Sequence, residues 1–164
     1  MEKELGGVKF FLLAYMCRQI WQENCKPLKK KYNLGPHEVY IIKFLSSSTK
    51  FNSAKYIAEL SGMKKGIVSV YIEKMMIGGW LVQREDPEDR RAKKLFLTDK
   101  AKSVVYEISK MDEEFHSTIL NGVSKEELNT ADAVYEKIYA NIKNISENKK
   151  IDVQPNRGEN EKIS

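Results

Sequence analysis

At 164 residues the chain fits one domain, or one compact unit with extensions, and leaves no room for a multidomain enzyme. Hydrophobic residues make up 41% and charged residues 31%, the balance of a globular chain and not of a wholly disordered one. Lysine and arginine outnumber the acids 28 to 23, a net charge of +5 that is too mild for a polycation but suits a surface that meets phosphate, so nucleic acid is the first partner to test.

After the charged start MEKELGG, the run Val8–Tyr15 is apolar but interrupted by Lys9 and far short of the ~20 residues of a membrane span. It lacks the basic n-region and cleavage site of a secretory signal, so the expected compartment is the cytoplasm and no membrane contact is expected. Periodicity predicts a first helix from about Val8 to Cys25, with Val8, Phe11, Leu12 and Tyr15 near one meridian and Leu13, Met16, Ile20 and Trp21 widening the apolar surface. On one helix Cys17 and Cys25 stand about 12 Å apart in rise, beyond the ~7 Å limit for a disulfide within the chain. Pro27 disfavours helical geometry at Lys26, so a break is expected before Leu28–Tyr32.

Gly35-Pro36-His37-Glu38 reads as a helix start: a tolerated cap, a proline preset for the first helical position, and a carboxylate favoured by the positive end of the dipole. The helix carries Val39, Ile42, Phe44 and Leu45 and ends in Ser46-Ser47-Ser48-Thr49. Ser53 caps a short helix with Tyr56, Ile57 and Leu60 that stops at Ser61-Gly62, and a second helix follows from about Lys64 to Ile77. Two helices meeting at a glycine are a helix-turn-helix candidate, with Ala58 small at the crossing and Gly62 where positive φ is wanted. In the second helix Val68, Tyr71, Ile72 and Met75 form an inward stripe, while Gly66, Ser69, Val70 and Glu73 face outward, flanked by Lys65 and Lys74.

Gly78-Gly79 stops that helix, Trp80-Leu81-Val82-Gln83-Arg84-Glu85 reads as a strand, and Leu95-Phe96-Leu97 returns it across the charged turn Asp86–Ala92. Helix, turn, helix and charged hairpin make a winged helix. Thr98 is expected to cap a long helix through Ala101, Val104, Val105, Ile108, Met111, Phe115 and Ile119, which Asn121-Gly122 ends. Ser124 and Glu127 have the spacing of a capping box, and Leu128, Ala131, Tyr135, Ile138, Ile142 and Ile145 form a nearly heptad seam that wants another helix. From Asn148 to Ser164 the composition is that of a solvated tail. The predicted fold class is mainly α with a small β-wing: a winged helix-turn-helix core flanked by N- and C-terminal dimerisation helices.

Residues Leu34 to Lys102 resemble the MarR family of winged-helix transcriptional regulators. The matching pieces are Leu34-Gly35-Pro36, Ile57-Ala58-Glu59 with Gly62, Val68-Ser69, Gly79-Trp80-Leu81-Val82, Asp86-Pro87-Glu88-Asp89-Arg90-Arg91-Ala92 and Leu97-Thr98, in order and spacing. With the leading and closing helices the likeness runs from about Val8 to Asn148. It implies a homodimer whose first and last helices interlock, with recognition helices in successive major grooves of a pseudo-palindromic double-stranded DNA operator and wings in the flanking minor grooves. The chain then divides into an N-terminal dimerisation helix (1–33), the DNA-binding winged helix-turn-helix (34–98), C-terminal dimerisation helices (99–147) and a disordered tail (148–164). The implied function is a cytoplasmic, sequence-specific DNA-binding regulator, a repressor released by a small aromatic or anionic ligand. The alternative is a winged-helix protein-interaction module that has lost DNA reading.

Carried over by motif, Arg91 is the wing arginine of the minor groove, Asp89 orients it or a neighbouring basic residue, and Arg90 contacts phosphate. The recognition helix departs from the resemblance: where relatives carry Ser-Thr near its start and an arginine after the Val-Ser or Val-Thr pair, this chain has Gly66-Ile67 and Val70. Val70 can touch a thymine methyl, Ser69 is permissive, and Lys65 is the strongest polar donor. Glu73 either accepts from cytosine or balances Lys74. Phosphate contacts are expected from Lys64, Lys65, Arg84, Arg90, Arg91, Lys93 and Lys94.

The remaining residues point to no metal, cofactor or catalytic site. The histidines are His37 and His116, and no Cys-x-x-Cys or His-Glu-x-x-His spacing occurs. Neither a phosphate loop nor a Gly-x-Ser-x-Gly elbow is present, so the chain is not expected to be an enzyme. Phe11 stands where peroxide-sensing relatives place a thiol, and Cys17 is read as a small buried hydrophobe. Phe10, Phe11, Tyr15, Tyr40 and Phe44 are candidate linings for a ligand pocket.

Overall fold

Pro27 sets the first landmark of the computed structural model, which describes residues 5–47, 51–86 and 93–149. Helix α1 (Leu5–Asn24) gives way at Cys25, and α2 (Lys26–Tyr32) holds the proline in its first turn, where a missing N–H leaves no helical bond unmade. Backbone bonds from Cys25 to Trp21 and from Lys29 to Cys25 carry the chain across the break. Helix α1 begins ahead of the Val8 start that periodicity predicts, taking Gly6 and Gly7 into its first turn.

Helix α3 (Pro36–Ser47) starts at the proline, and α4 (Ala54–Ser61) is capped by Ser53, whose Oγ accepts from the Tyr56 N–H at 3.4 Å. Gly62 takes the left-handed φ of 69° that turns the chain into α5 (Lys65–Ile77). The hairpin pairs β1 (Leu81–Glu85) with β2 (Lys93–Leu97), antiparallel, in the register Leu81↔Leu97 to Glu85↔Lys93. Leu81 and Leu95 share its buried face, as the two-residue period of a strand requires. Asn52, itself buried, clamps β2 to the start of α4: its carbonyl accepts from Leu95 N–H and its Nδ2 donates to Leu95 O.

Thr98 stands at the N-cap position, where its carbonyl accepts from the Ala101 N–H at 3.0 Å, but its side chain makes no cap bond. Its Oγ1 donates back to the carbonyls of Gly79 and Trp80, at 2.7 and 3.3 Å, closing the base of the hairpin. A short 3-10 turn (Asp99–Ala101) then leads into α6 (Lys102–Ile119), and the Ser124–Glu127 capping box launches α7 (Lys125–Asn148).

The core joins Leu34, Val39, Ile41 and Ile42 to Ile57 and Ala58, Val68 and Met75, Leu81 and Leu95. It also takes Cys25 and Leu28 from the α1–α2 junction and Val104 and Ile108 from α6. Polar ties fix α6 over this core: Glu107 accepts from Lys31 and Tyr32 of α2, each at 2.6 Å, and Asp112 pairs with Lys43 of α3 at 2.5 Å. Outside it, α1 exposes Phe11 at 74% together with Leu13, Tyr15 and Met16, and α7 exposes Tyr135, Ile138, Ile142 and Ile145. No helix among the described residues is long and apolar enough to cross a membrane.

Candidate nucleic-acid interface

Helix α5 lies across α4 with one side turned in and one turned out. Val68, Ile72 and Met75 are buried, with Tyr71 half-buried beside them. The buried positions recur every three or four residues and those between them, Tyr71 apart, are exposed, so Lys65, Gly66, Ile67, Ser69, Val70 and Glu73 lie on the solvent side. Lys64 is the N-cap residue, with extended backbone (φ −61°, ψ 140°) and no side-chain cap bond, which puts two successive lysines at the positive end of the helix. A chain that placed cations there only for stability would work against the dipole. Ser69 Oγ donates to Lys65 O at 3.0 Å, and Gly66 has open space where a side chain would stand.

The hairpin follows α5 directly and packs against it through β1. Alternation along the strands places Val82 and Arg84 on the face opposite to Leu81, across from Phe96 and Lys94. The Arg84 guanidinium lies over the Phe96 ring, 5.3 Å from its centroid, so its reach is set by a stacked aromatic support. Lys93 is exposed at the outer end, across from Glu85. Lys94 is only part-exposed and pairs with Asp86 at 2.9 Å. Asp89, Arg90 and Arg91 lie outside the described residues.

Lys74, at the edge of the outward face, bonds Glu38 Oε1 at 2.5 Å; its partner is therefore Glu38 and not Glu73. The second Glu38 oxygen accepts from the Gly35 N–H at 3.1 Å, so a carboxylate only 2% exposed ties the start of α3 to the recognition helix. This bond holds the Lys74 ammonium above its ordinary pKa. Half of the arrangement has a sequence signal, a glutamate three residues after a helix cap. The Lys74 half has none, because nothing local couples positions so far apart.

Two cavities flank the α1–α2 junction. One, of about 620 Å³, lies between this junction and α6, with Ile20, Leu28, Met111 and Phe115 as apolar walls and Glu23 and Glu107 at its rim. The other, about 280 Å³, is bordered by Cys25, His37, Glu38, Tyr71 and Lys74. Four of the candidate aromatics line neither: Tyr40 and Phe44 stack on each other along α3, and Phe11 and Tyr15 are exposed on α1; the Phe10 side chain lies outside the described ones. Cys17 is part-exposed and Cys25 buried; both are free thiols, and burial pushes the Cys25 thiol up to about 11. Among the described residues no group of His, Cys, Asp and Glu has the arrangement of a metal site.

No family model and no curated protein sequence matches the chain. Solved structures do. A MarR/EmrR family transcriptional regulator from Acinetobacter superposes with a TM-score of 0.72 at 18% identity, covering 85% of this chain and 98% of that one. The Staphylococcus aureus MepR–DNA complex gives 0.72 at 15% identity, over 85% and 98% of the two chains. A MarR-family regulator from Listeria monocytogenes complexed with 26mer DNA gives 0.67 at 18% identity, over 82% and 86%. The superpositions extend over most of each chain, and the fold of this chain is that of the MarR-family transcriptional regulators.

Proposed function

We propose that the chain is a dimeric, sequence-specific DNA-binding transcriptional regulator of the MarR family, with no catalytic activity. The observation that carries this reading is the outward face of α5: solvent-exposed, opened by Lys64 and Lys65, and placed on a fold whose solved examples include DNA complexes. Residues 34–98 are the DNA-binding part. Lys64, Lys65, Gly66, Ser69 and Val70 enter the major groove, and Arg84, Asp89, Arg90, Arg91 and Lys93 form the wing contacts. Segments 1–33 and 99–147 form the dimer interface, supported by the apolar side chains that α1 and α7 leave exposed. The solvated tail expected from Asn148 begins on the last residue of α7, and its remainder beyond residue 149 lies outside the described residues.

The regulator acts in the cytoplasm as a repressor, and a small ligand in the 620 Å³ cavity releases it, since that space joins the base of α1 to α6 and has the volume of a small-molecule site. The test is binding to random-sequence duplex over a salt series, followed by selection of bound sites from a random pool. A dimer that uses several cations gives a steep negative slope of log affinity on log salt, and the selected sites are palindromic. A flat response with dimerisation intact favours the protein-interaction module instead.

A further inference from the structure

Resting on the DNA-binding reading and deepening it, we infer that α5 recognises thymine 5-methyl groups in the major groove, with Val70 and Ile67 as the specificity-determining side chains. Val70 is 64% exposed and Ile67 42%, one turn apart on the helix whose Val68, Ile72 and Met75 are buried. Two exposed β-branched residues in the first two turns of this helix gain stability by covering their methyl groups with another apolar surface. Gly66 precedes Val70 by one turn, and a Cβ there would meet nothing within 4 Å, so the helix backbone itself can come close to a groove floor. Ser69, between them in sequence, spends its hydroxyl proton on the Lys65 carbonyl.

Beyond the lysines at its start, this face therefore offers methyl groups and an acceptor, without the bidentate forks of Arg, Asn or Gln. Of the base edges in the major groove, thymine alone carries an apolar group. Lys64 and Lys65 at one end of the strip complement phosphate, which marks the occupant as a duplex and not an apolar protein surface. Glu73, exposed one turn beyond Val70, limits the strip at the other end, where it repels phosphate and can accept only from a base amine.

The test uses the full chain and half-sites selected from a random duplex pool. Each thymine is replaced in turn by deoxyuridine, which keeps the base pair and removes only the methyl. The expected result is a loss of about fourfold in affinity per methyl at one or two positions of each half-site, the effect of one buried methyl-sized group. Val70→Ala or Ile67→Ala, both at exposed positions, abolishes the uracil penalty at the matching position and leaves the salt slope unchanged. Equal binding of thymine and uracil duplexes overturns the inference, as does selection of half-sites lacking thymine or a uracil penalty that survives in both variants. In those cases salt-dependent binding to random duplex persists and the DNA-binding reading stands. Failure to bind any duplex at low salt overturns both.

Discussion

Glu38 occupies the third position of α3, where a carboxylate can reach back to the cap amide, and its burial turns that local preference into a tie between elements. One oxygen serves Gly35 and the other Lys74, so no lone polar group is left inside. Glu38→Ala removes both bonds and should lower stability by about 1–3 kcal/mol, read as a shift of the urea midpoint at unchanged m. Glu38→Gln keeps an acceptor for Gly35 and should lose less. Equal losses would mean that the amide bond contributes nothing. Cys25 makes the complementary case of a buried thiol with no charge to support. Its pKa moves from 9.0 to about 11, so between those values the unfolded chain has given up a proton that the native state retains. Stability is thus fully present below pH 9 and falls as pH rises toward 11. Cys25→Ala should flatten this alkaline decline relative to the parent in denaturation series at pH 8 and pH 10.5, and a decline of the same slope in both would show that other groups cause it.

At the scale of elements, the turn between α4 and α5 depends on one backbone conformation. Gly62, at φ 69°, lets its N–H close on the Ala58 carbonyl and hands the chain to Lys64. Gly62→Ala should cost about 1 kcal/mol or more, with Gly62→Asn losing less because asparagine tolerates this region. Thermal unfolding of the three proteins checks the order. The wing makes a functional counterpart: Arg91→Ala should weaken binding to the selected site by about 1–3 kcal/mol and erase a preference for A·T-rich flanks, with the dimer intact. Unchanged affinity for every duplex would remove the arginine from the interface. These features were legible in the sequence because each depends on residues near one another: Pro27 as a break, which falls at Cys25 and not between Lys26 and Leu28, Pro36 marking a helix start, Ser53 and Ser124 as caps, Gly62 as a turn, and three-to-four spacing in α5 and α6. What was not legible joins residues far apart. Nothing near Thr98 shows that its hydroxyl turns back to Gly79 and Trp80, nothing near Asn52 announces its clamp on Leu95, and nothing near Lys94 announces its pairing with Asp86. Capping rules favour Thr98 at the helix start; the carbonyls at the hairpin base compete for the same hydroxyl and win.

For the molecule as a whole, the distribution of apolar surface is uneven. The winged helix closes its core with Cys25 and Leu28 of the α1–α2 junction and Val104 and Ile108 of α6, while α1 and α7 carry exposed large hydrophobics along their lengths. On α7, Tyr135, Ile138, Ile142 and Ile145 recur at steps of three and four and remain about half exposed, an arrangement that leaves much of the apolar seam in water unless another chain covers it. A two-fold axis uses each such residue twice, so a single substitution is felt at two places in the interface. Ile138→Asp is the sharp test, because in the lone chain this side chain is already 46% exposed and a carboxylate there stays hydrated. In a dimer seam the same carboxylate is stripped of water without a partner, a cost of several kcal/mol per site. The parent should therefore sediment as a dimer at micromolar concentration and the variant as a folded monomer with helical content retained. Operator binding should fall with the dimer, since one winged helix alone engages a single half-site. A parent that sediments as a stable monomer would remove the dimer, and a variant that sediments like the parent would place the interface elsewhere on the chain.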